Sequence, residues 1–330
     1  MKLVIHDPAW PIYSSLLNEL IGSNWTIVAG SNDVEWLIKE VTDADALMAT
    51  DLPTRSLPAA RKLKLLLFPG AGFVQQHSDE LPLGCALSNV FDHEVPIAEY
   101  VMMVVLMFLT RIEHFQSMFR DGNWSGTGRI GGVPHDEAQG KTVGIIGYGH
   151  IGQEIAKRAA SFGMLVRAIK QRPQTTTNLD RVAQHLGGPE DLEALLAMSH
   201  FVVIACPLTA KTRGWIGAKE LALMRADGVL INVARAEIVQ EQPLFNVLKN
   251  SRIRGAALDV WYQNPKTLDQ NMHGSQHPFH LLSNVLVTPH FSAWTRPMIE
   301  RRMTRIADNL KRLEEGRELQ RVVMIGTWTE

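Results

Sequence analysis

The chain has 330 residues, enough for two domains of ordinary size and a sizeable core. Its 33 basic and 34 acidic side chains leave a net charge of −1, which argues against a basic nucleic-acid-binding surface as its main business. Two cysteines, Cys85 and Cys206, lie far apart without CxxC spacing. No disulfide framework or metal site follows from them, and a reducing compartment is the default. The N-terminal MKLVIHDPAW reads as a strand ended by Asp7-Pro8 rather than as a signal peptide. The longest apolar run, Tyr100 to Leu109, is about half of what a bilayer span needs. A soluble cytoplasmic protein is expected.

Residues 2–6 read as a first strand, Ile12 to Leu20 as a helix, Trp25 to Ala29 as a second strand and Asp33 to Glu40 as a short helix. Asp45 to Ala49 and Leu63 to Phe68 read as further strands. Strands alternating with helices predict a parallel sheet covered on both faces. Phe68-Pro69-Gly70-Ala71-Gly72-Phe73 then closes a strand with two glycines. Exposed N–H groups there would hold a carboxylate, or the segment is a simple turn. Pro96 opens a helical stretch read as one helix through Phe119, with a surface so widely apolar that it is buried on most sides. Arg120 to Pro134 reads as a long irregular connection.

The stretch from Lys141 to Gly152, KTVGIIGYGHIG, follows. An apolar strand runs into Gly147-Tyr148-Gly149-His150-Ile151-Gly152 and then into a helix, QEIAKRAASFG. A glycine triad in that setting is a phosphate cradle. Gly147 permits a tight turn, Gly149 lets a pyrophosphate approach the backbone, and Gly152 lets the helix pack on the strand. Later strands are expected at Leu165 to Ile169, Phe201 to Ala205, Gly228 to Asn232, Gly255 to Asp259 and Val285 to Val287, with helices between most of them. Asn264 to Leu282 reads as a loop over the cleft, and Pro297 to Glu315 as an amphipathic helix returning to the first domain.

Just past strand ends on the cradle's edge of the sheet stand Val233-Ala234-Arg235-Ala236, Leu258-Asp259-Val260-Trp261 and Thr288-Pro289-His290. Arginine grips a carboxylate with two parallel hydrogen bonds. Histidine exchanges a hydroxyl proton while hydride moves to or from the same carbon. The blocks GKTVGIIGYGHIG, CPLTAKTRGWIG, LINVARAEIV, GAALDVW and NVLVTPH, in this order, resemble the D-2-hydroxyacid dehydrogenase family, and the likeness covers nearly the whole chain. That family includes glyoxylate/hydroxypyruvate reductases, phosphoglycerate dehydrogenases and formate dehydrogenases.

The resemblance implies an α/β protein of two doubly wound parallel-sheet domains. A Rossmann nucleotide-binding domain, residues 97–296, would be inserted in a flavodoxin-like substrate domain, residues 1–96 and 297–330. Arg235 would bind the substrate carboxylate and carbonyl, and His290 would be the general acid/base. Asp259 would hold the nicotinamide end, and the backbone near Ala71 and Gly72 would grip the carboxylate. Cys206, Pro207, Thr212, Val233 and Ala234 fall in the family's cofactor-binding blocks. The loop carrying His93 would face nicotinamide and substrate, and Trp294 and Tyr262 are either pocket walls or ordinary packing aromatics. Relatives associate through the nucleotide domain, so a homodimer is expected.

Two departures matter. An acid about 20 residues past the glycines takes the ribose hydroxyl of NAD, but Lys170-Gln171-Arg172 stand there. Those bases suit the 2′-phosphate of NADP(H), with NAD(H) the lesser expectation. Most of the family pairs the histidine with a glutamate where this chain has Asn264, as formate dehydrogenases do. An amide orients the ring without stabilising its cation, so His290 should titrate low. The leading expectation is NADP(H)-dependent reduction of a small 2-ketoacid such as glyoxylate or hydroxypyruvate to the D-2-hydroxyacid. Formate-dehydrogenase-like hydride abstraction and a non-catalytic nucleotide-sensing protein are the alternatives.

Overall fold

The computed structural model describes residues 1–30, 33–50, 57–71, 78–173, 182–265 and 270–328. In chain order its main elements are β1 (Lys2–His6), α1 (Trp10–Leu20), β2 (Thr26–Gly30), α2 (Val34–Glu40), β3 (Ala46–Ala49), β4 (Leu65–Phe68), β5 (Ala86–Asn89), α3 (Glu94–Thr110), α4 (Ile112–Arg120), β6 (Thr142–Ile146), α5 (His150–Ser161) and β7 (Leu165–Ile169). They continue with β8 (His185–Gly187), α6 (Leu192–Met198), β9 (Phe201–Ile204), α7 (Ala218–Leu223), β10 (Val229–Asn232), α8 (Glu241–Lys249), β11 (Gly255–Leu258), β12 (Val285–Val287), α9 (Arg296–Glu314) and β13 (Val322–Ile325). The chain divides into two compact units, residues 1–92 with 294–330, and residues 93–293. The expected divisions were at 96/97 and 296/297.

The first unit is a sheet in the order β13-β5-β4-β3-β1-β2, parallel except for β13. The chain leaves β1 to one side for β2 and returns across it for β3. The carboxyl ends of β1 and β3 therefore flank a topological switch point, where open α/β sheets bind ligands. Leu3 and Ile5 pack under α1 and α9 with Leu17, Met303, Ile306 and Leu310. On the other face Val4, Leu47 and Leu66 pack with Leu37 of α2 and with Val41. Thr295 caps α9 through its side chain, and Pro297 sits in the first turn, where its missing N–H is harmless.

The second unit is a sheet in the order β12-β11-β10-β9-β6-β7-β8, all parallel. Strand β6 is central, and the chain winds outward from it in both directions, which is the doubly wound arrangement. Every residue of β6, β9, β10 and β11 is buried, as strands covered on both faces must be.

The helix expected to run unbroken from Pro96 to Phe119 is two helices. It starts at Glu94 and breaks at Arg111, whose φ of 53° is left-handed, and α4 leaves at 55° to α3. The apolar run ends at Leu109, but Ile112, Phe115 and Phe119 resume a helical spacing past Thr110-Arg111, so hydrophobicity alone could not reveal the break. The burial also stops there: α3 buries Ile97, Tyr100, Val101, Val104, Val105 and Leu109, whereas α4 buries nothing. Among the described residues no single helix is long and apolar enough to cross a membrane.

Candidate functional site

Strand β6 ends at Ile146, and the three glycines after it each meet a different geometric demand. Gly147 has φ +107°, and a Cβ there would lie 2.5 Å from the Cys206 nitrogen. Gly152 sits on the buried face of α5, where a Cβ would come 2.3 Å from the Gly147 carbonyl oxygen. Gly149 differs, because a Cβ there would meet nothing within 4 Å. The first and third glycines let strand, neighbouring loop and helix close up, and the second keeps space clear over the N-terminus of a 12-residue helix. That arrangement fits a pyrophosphate held by N–H groups at the positive end of the helix dipole.

Of the neighbouring cofactor candidates, Ile151 is half-buried and His150 exposed, but the Tyr148 ring is buried in the core of the unit. Tyr148 can therefore serve a ligand only through its backbone. Cys206 and Pro207 follow β9, and Thr212 donates to the Pro207 carbonyl at 2.7 Å, closing that loop beside Gly147. Burial pushes the Cys206 thiol up to about 11, so no thiolate charge opposes phosphates there. Beyond β7, Lys170 is half-buried, with its N–H donated to Gly187 at 3.0 Å, and Gln171 and Arg172 are exposed. Asp180, the next acid along the chain, lies outside the described residues.

Three residues past the end of β10, Arg235 is exposed, with one guanidinium N–H donated to the Ala234 carbonyl at 2.7 Å. Its loop is fixed by Asn232, buried at the strand end. The Asn232 amide donates to the Arg235 carbonyl at 3.0 Å, and its oxygen accepts from the Ala234 N–H at 3.1 Å. Val233 is buried and Ala234 half-buried in the same turn. Asn232 was missed at the level of sequence; its signal is an amide side chain closing an otherwise apolar buried strand.

Asp259 is fully buried past β11. Its Oδ1 accepts from the Thr288 hydroxyl at 2.7 Å and the Phe291 N–H at 3.0 Å, and its Oδ2 from the Ser292 N–H at 3.1 Å. The carboxylate thus brackets His290, whose φ of 56° is itself left-handed. Non-glycine residues in that region are uncommon and persist where the surroundings hold them. Here Thr288 is also held by the Tyr100 hydroxyl at 2.9 Å, and its carbonyl by the Trp261 indole N–H at 2.8 Å. Asp259, assigned above to the nicotinamide end, has both oxygens engaged on the His290 turn, Oδ1 by two donors and Oδ2 by one.

The His290 pKa is lowered, chiefly by desolvation, with the Arg235 guanidinium adding to the effect and the Asp259 carboxylate opposing it. By accessible area the side chain is exposed. The surrounding protein nonetheless displaces enough water to disfavour the imidazolium. Asn264 is exposed and makes no hydrogen bond to His290. Tyr262, with its hydroxyl donated to the Val239 carbonyl at 2.8 Å, is a packing aromatic rather than a pocket wall.

Elsewhere, Ala71 offers its carbonyl to the Asn89 amide at 3.1 Å, so that carbonyl is engaged within the first unit. Gly72 lies outside the described residues. His93 precedes α3 at its N-cap, half-buried and without a side-chain capping bond. Trp294 is exposed and meets Tyr13 edge-on, ring centres 6.3 Å apart. Among the described residues no three His, Cys, Asp or Glu side chains are grouped to hold a metal ion.

A parallel sheet wound outward from a glycine cradle, with arginine, carboxylate and histidine beyond later strand ends, defines a dinucleotide-binding oxidoreductase. Residues 102–292 match the family model described as D-isomer specific 2-hydroxyacid dehydrogenase, NAD binding domain. A D-3-phosphoglycerate dehydrogenase of Methanocaldococcus jannaschii is 30% identical over 98% of this chain, which spans 59% of that relative's length. A glyoxylate reductase of Thermococcus gammatolerans is 30% identical over 86% of this chain and 83% of its own. A D-isomer specific 2-hydroxyacid dehydrogenase of Xanthobacter autotrophicus, solved with NADPH and MES, is 25% identical, with a TM-score of 0.76 over 98% of this chain and 97% of its own. The chain belongs to the D-isomer specific 2-hydroxyacid dehydrogenase family, a family of NAD(P)-dependent oxidoreductases.

Proposed function

We propose that this chain catalyses NADP(H)-dependent reduction of a small 2-ketoacid of the glyoxylate or hydroxypyruvate type to the D-2-hydroxyacid. The observation that carries this reading is placement: Arg235 past β10 and His290 past β12 stand beyond strand ends of the sheet that carries the glycine cradle. The similarity to a glyoxylate reductase supports the substrate class.

Gly147, Gly149, Gly152 and the N-terminus of α5 would hold the pyrophosphate of the cofactor. When bound, the nicotinamide supplies the hydride that reduces the substrate C2. Arg235 binds the substrate carboxylate through its guanidinium fork and so fixes the position of the 2-oxo group. The His290 imidazolium donates its proton to the substrate carbonyl oxygen as negative charge grows there. Asp259 keeps the His290 turn in place and favours its charged form. Lys170 and Arg172 provide charge for a 2′-phosphate, and the NADPH-bound relative supports that preference. Their positions favour NADPH over NADH as electron donor.

A second reading, formate-dehydrogenase-like hydride abstraction, is favoured by Asn264, since that chemistry needs no proton transfer. Assays of glyoxylate, hydroxypyruvate and formate with each cofactor test the proposal: turnover of the ketoacids with NADPH supports it, and formate oxidation supports the alternative. Cofactor binding without turnover on either would identify a nucleotide-sensing protein.

The same reading includes a homodimer through the nucleotide-binding unit. Met103, Ile112, Phe119 and Trp124 expose apolar surface along α3, α4 and the segment after them. A cytoplasmic setting suits the two buried, unpaired thiols of Cys85 and Cys206. Sedimentation equilibrium at a monomer mass, unchanged by concentration, would remove the dimer from the proposal.

A further inference from the structure

Arg302 lies on the buried face of α9, between Met298 and Ile306, and only 7% of its surface is exposed. A guanidinium stays charged, so burying one demands compensation from an acceptor or an anion. Tyr13, itself 3% exposed, is its hydrogen-bond partner. The Arg302 Nε–H has no acceptor among the described residues. No carboxylate among them stands within 4.0 Å of the guanidinium, although Asp7 and Asp92 are near enough to favour its charge. Asp7 does not supply the missing bond. Its Oδ1 accepts from the Ala9 N–H at 2.8 Å, and its Oδ2 accepts from the Thr50 hydroxyl.

The position of this cluster is as informative as its chemistry. Asp7 directly follows β1 and Thr50 directly follows β3, so both mark the switch point of the first unit, where open α/β sheets take ligands. Tyr13 also meets the exposed Trp294 edge-on, which connects the buried cluster to the surface of the same unit. The first unit therefore carries a desolvated cation near the carboxyl ends of β1 and β3, with a buried, unsatisfied Nε donor.

We propose that Arg302, held by Tyr13, is an anion site of the first unit and takes a carboxylate. The carboxylate is that of a small acid bound within the first unit. Guanidinium rather than ammonium suits this task because its planar fork meets both carboxylate oxygens.

The test is calorimetric titration of malonate into Arg235→Gln protein, which lacks the other guanidinium assigned to a carboxylate, and into the Arg235→Gln/Arg302→Gln double variant. Loss of Arg302 should weaken malonate roughly 30-fold, the scale of one lost charge-assisted hydrogen bond. Arg302→Lys, which keeps the charge and loses the fork, should fall between, and Tyr13→Phe should weaken binding in the same direction. If Arg302→Gln does not fold, the lysine and phenylalanine variants decide. Equal malonate affinity with and without these changes would overturn the site. Because the calorimetry needs no turnover, its failure is distinct from failure of the proposed activity.

Discussion

Replacing Asp259 with asparagine isolates the contribution of one buried carboxylate to the proton-transfer half of the site. The carboxylate accepts three hydrogen bonds, from the Thr288 hydroxyl and from the N–H groups of Phe291 and Ser292. An asparagine oxygen placed as Oδ1 keeps the first two, and the amide nitrogen then faces the Ser292 N–H, donor against donor. An unsatisfied buried donor costs about 1–3 kcal/mol. If that energy is taken from the turn bearing His290, kcat/KM for ketoacid reduction falls about 10–100-fold. The pH effect has a definite sign. Reduction uses the imidazolium, so the rate is lost as pH rises through the His290 pKa. Desolvation and Arg235 lower that pKa and Asp259 raises it. Asp259→Asn removes the raising influence, so the alkaline limb of the kcat/KM profile moves to lower pH. A profile measured with saturating NADPH and limiting glyoxylate reads both effects. An unmoved or upward-shifted limb, or a kcat/KM within about threefold of wild type, would refute the reasoning.

The glycines separate by mechanism. Gly147→Ala and Gly152→Ala force backbone contacts of 2.5 and 2.3 Å, so both should lower Tm as well as NADPH affinity. Gly149→Ala meets nothing in the protein and should leave Tm unchanged while weakening NADPH at least about tenfold, as titrated by nicotinamide fluorescence. The double variant Lys170→Asp/Arg172→Ala should invert the NADPH-to-NADH ratio of kcat/KM, and an unchanged ratio would move the 2′-phosphate contact elsewhere. Because Asn264 is exposed and makes no bond to His290, Asn264→Ala should cost less kcat/KM than Asp259→Asn; the reverse order would make Asn264 the ring's partner.

The cradle was legible because everything it needs is local: an apolar strand, three glycines and a helix follow one another without interruption. The order of later strands was legible for the same reason, since each is a short buried run. The break at Arg111 was not, because Ile112, Phe115 and Phe119 resume the helical spacing of apolar residues, and a left-handed residue leaves no mark in that pattern. Strands β5, β8 and β13 also escaped notice, being three or four residues long, and β13 has most of its length exposed. The grip of Asp259 on residues 288–292 joins positions some thirty apart, and an aspartate after a strand reads equally well as a turn cap. Arg302 hides among the charges of a returning helix. Its spacing of four from both Met298 and Ile306 was the available signal that it shares their buried stripe.

The account rests on hydride transfer to a 2-ketoacid with a proton from His290. The most direct measurement compares wild type with His290→Gln, following NADPH consumption with glyoxylate and hydroxypyruvate alongside NADPH binding. The prediction is turnover in wild type and a loss of at least about 100-fold in kcat for the variant, with NADPH affinity retained. Ketoacid reduction undiminished in His290→Gln, or wild-type protein that binds NADPH and reduces neither acid, would contradict it.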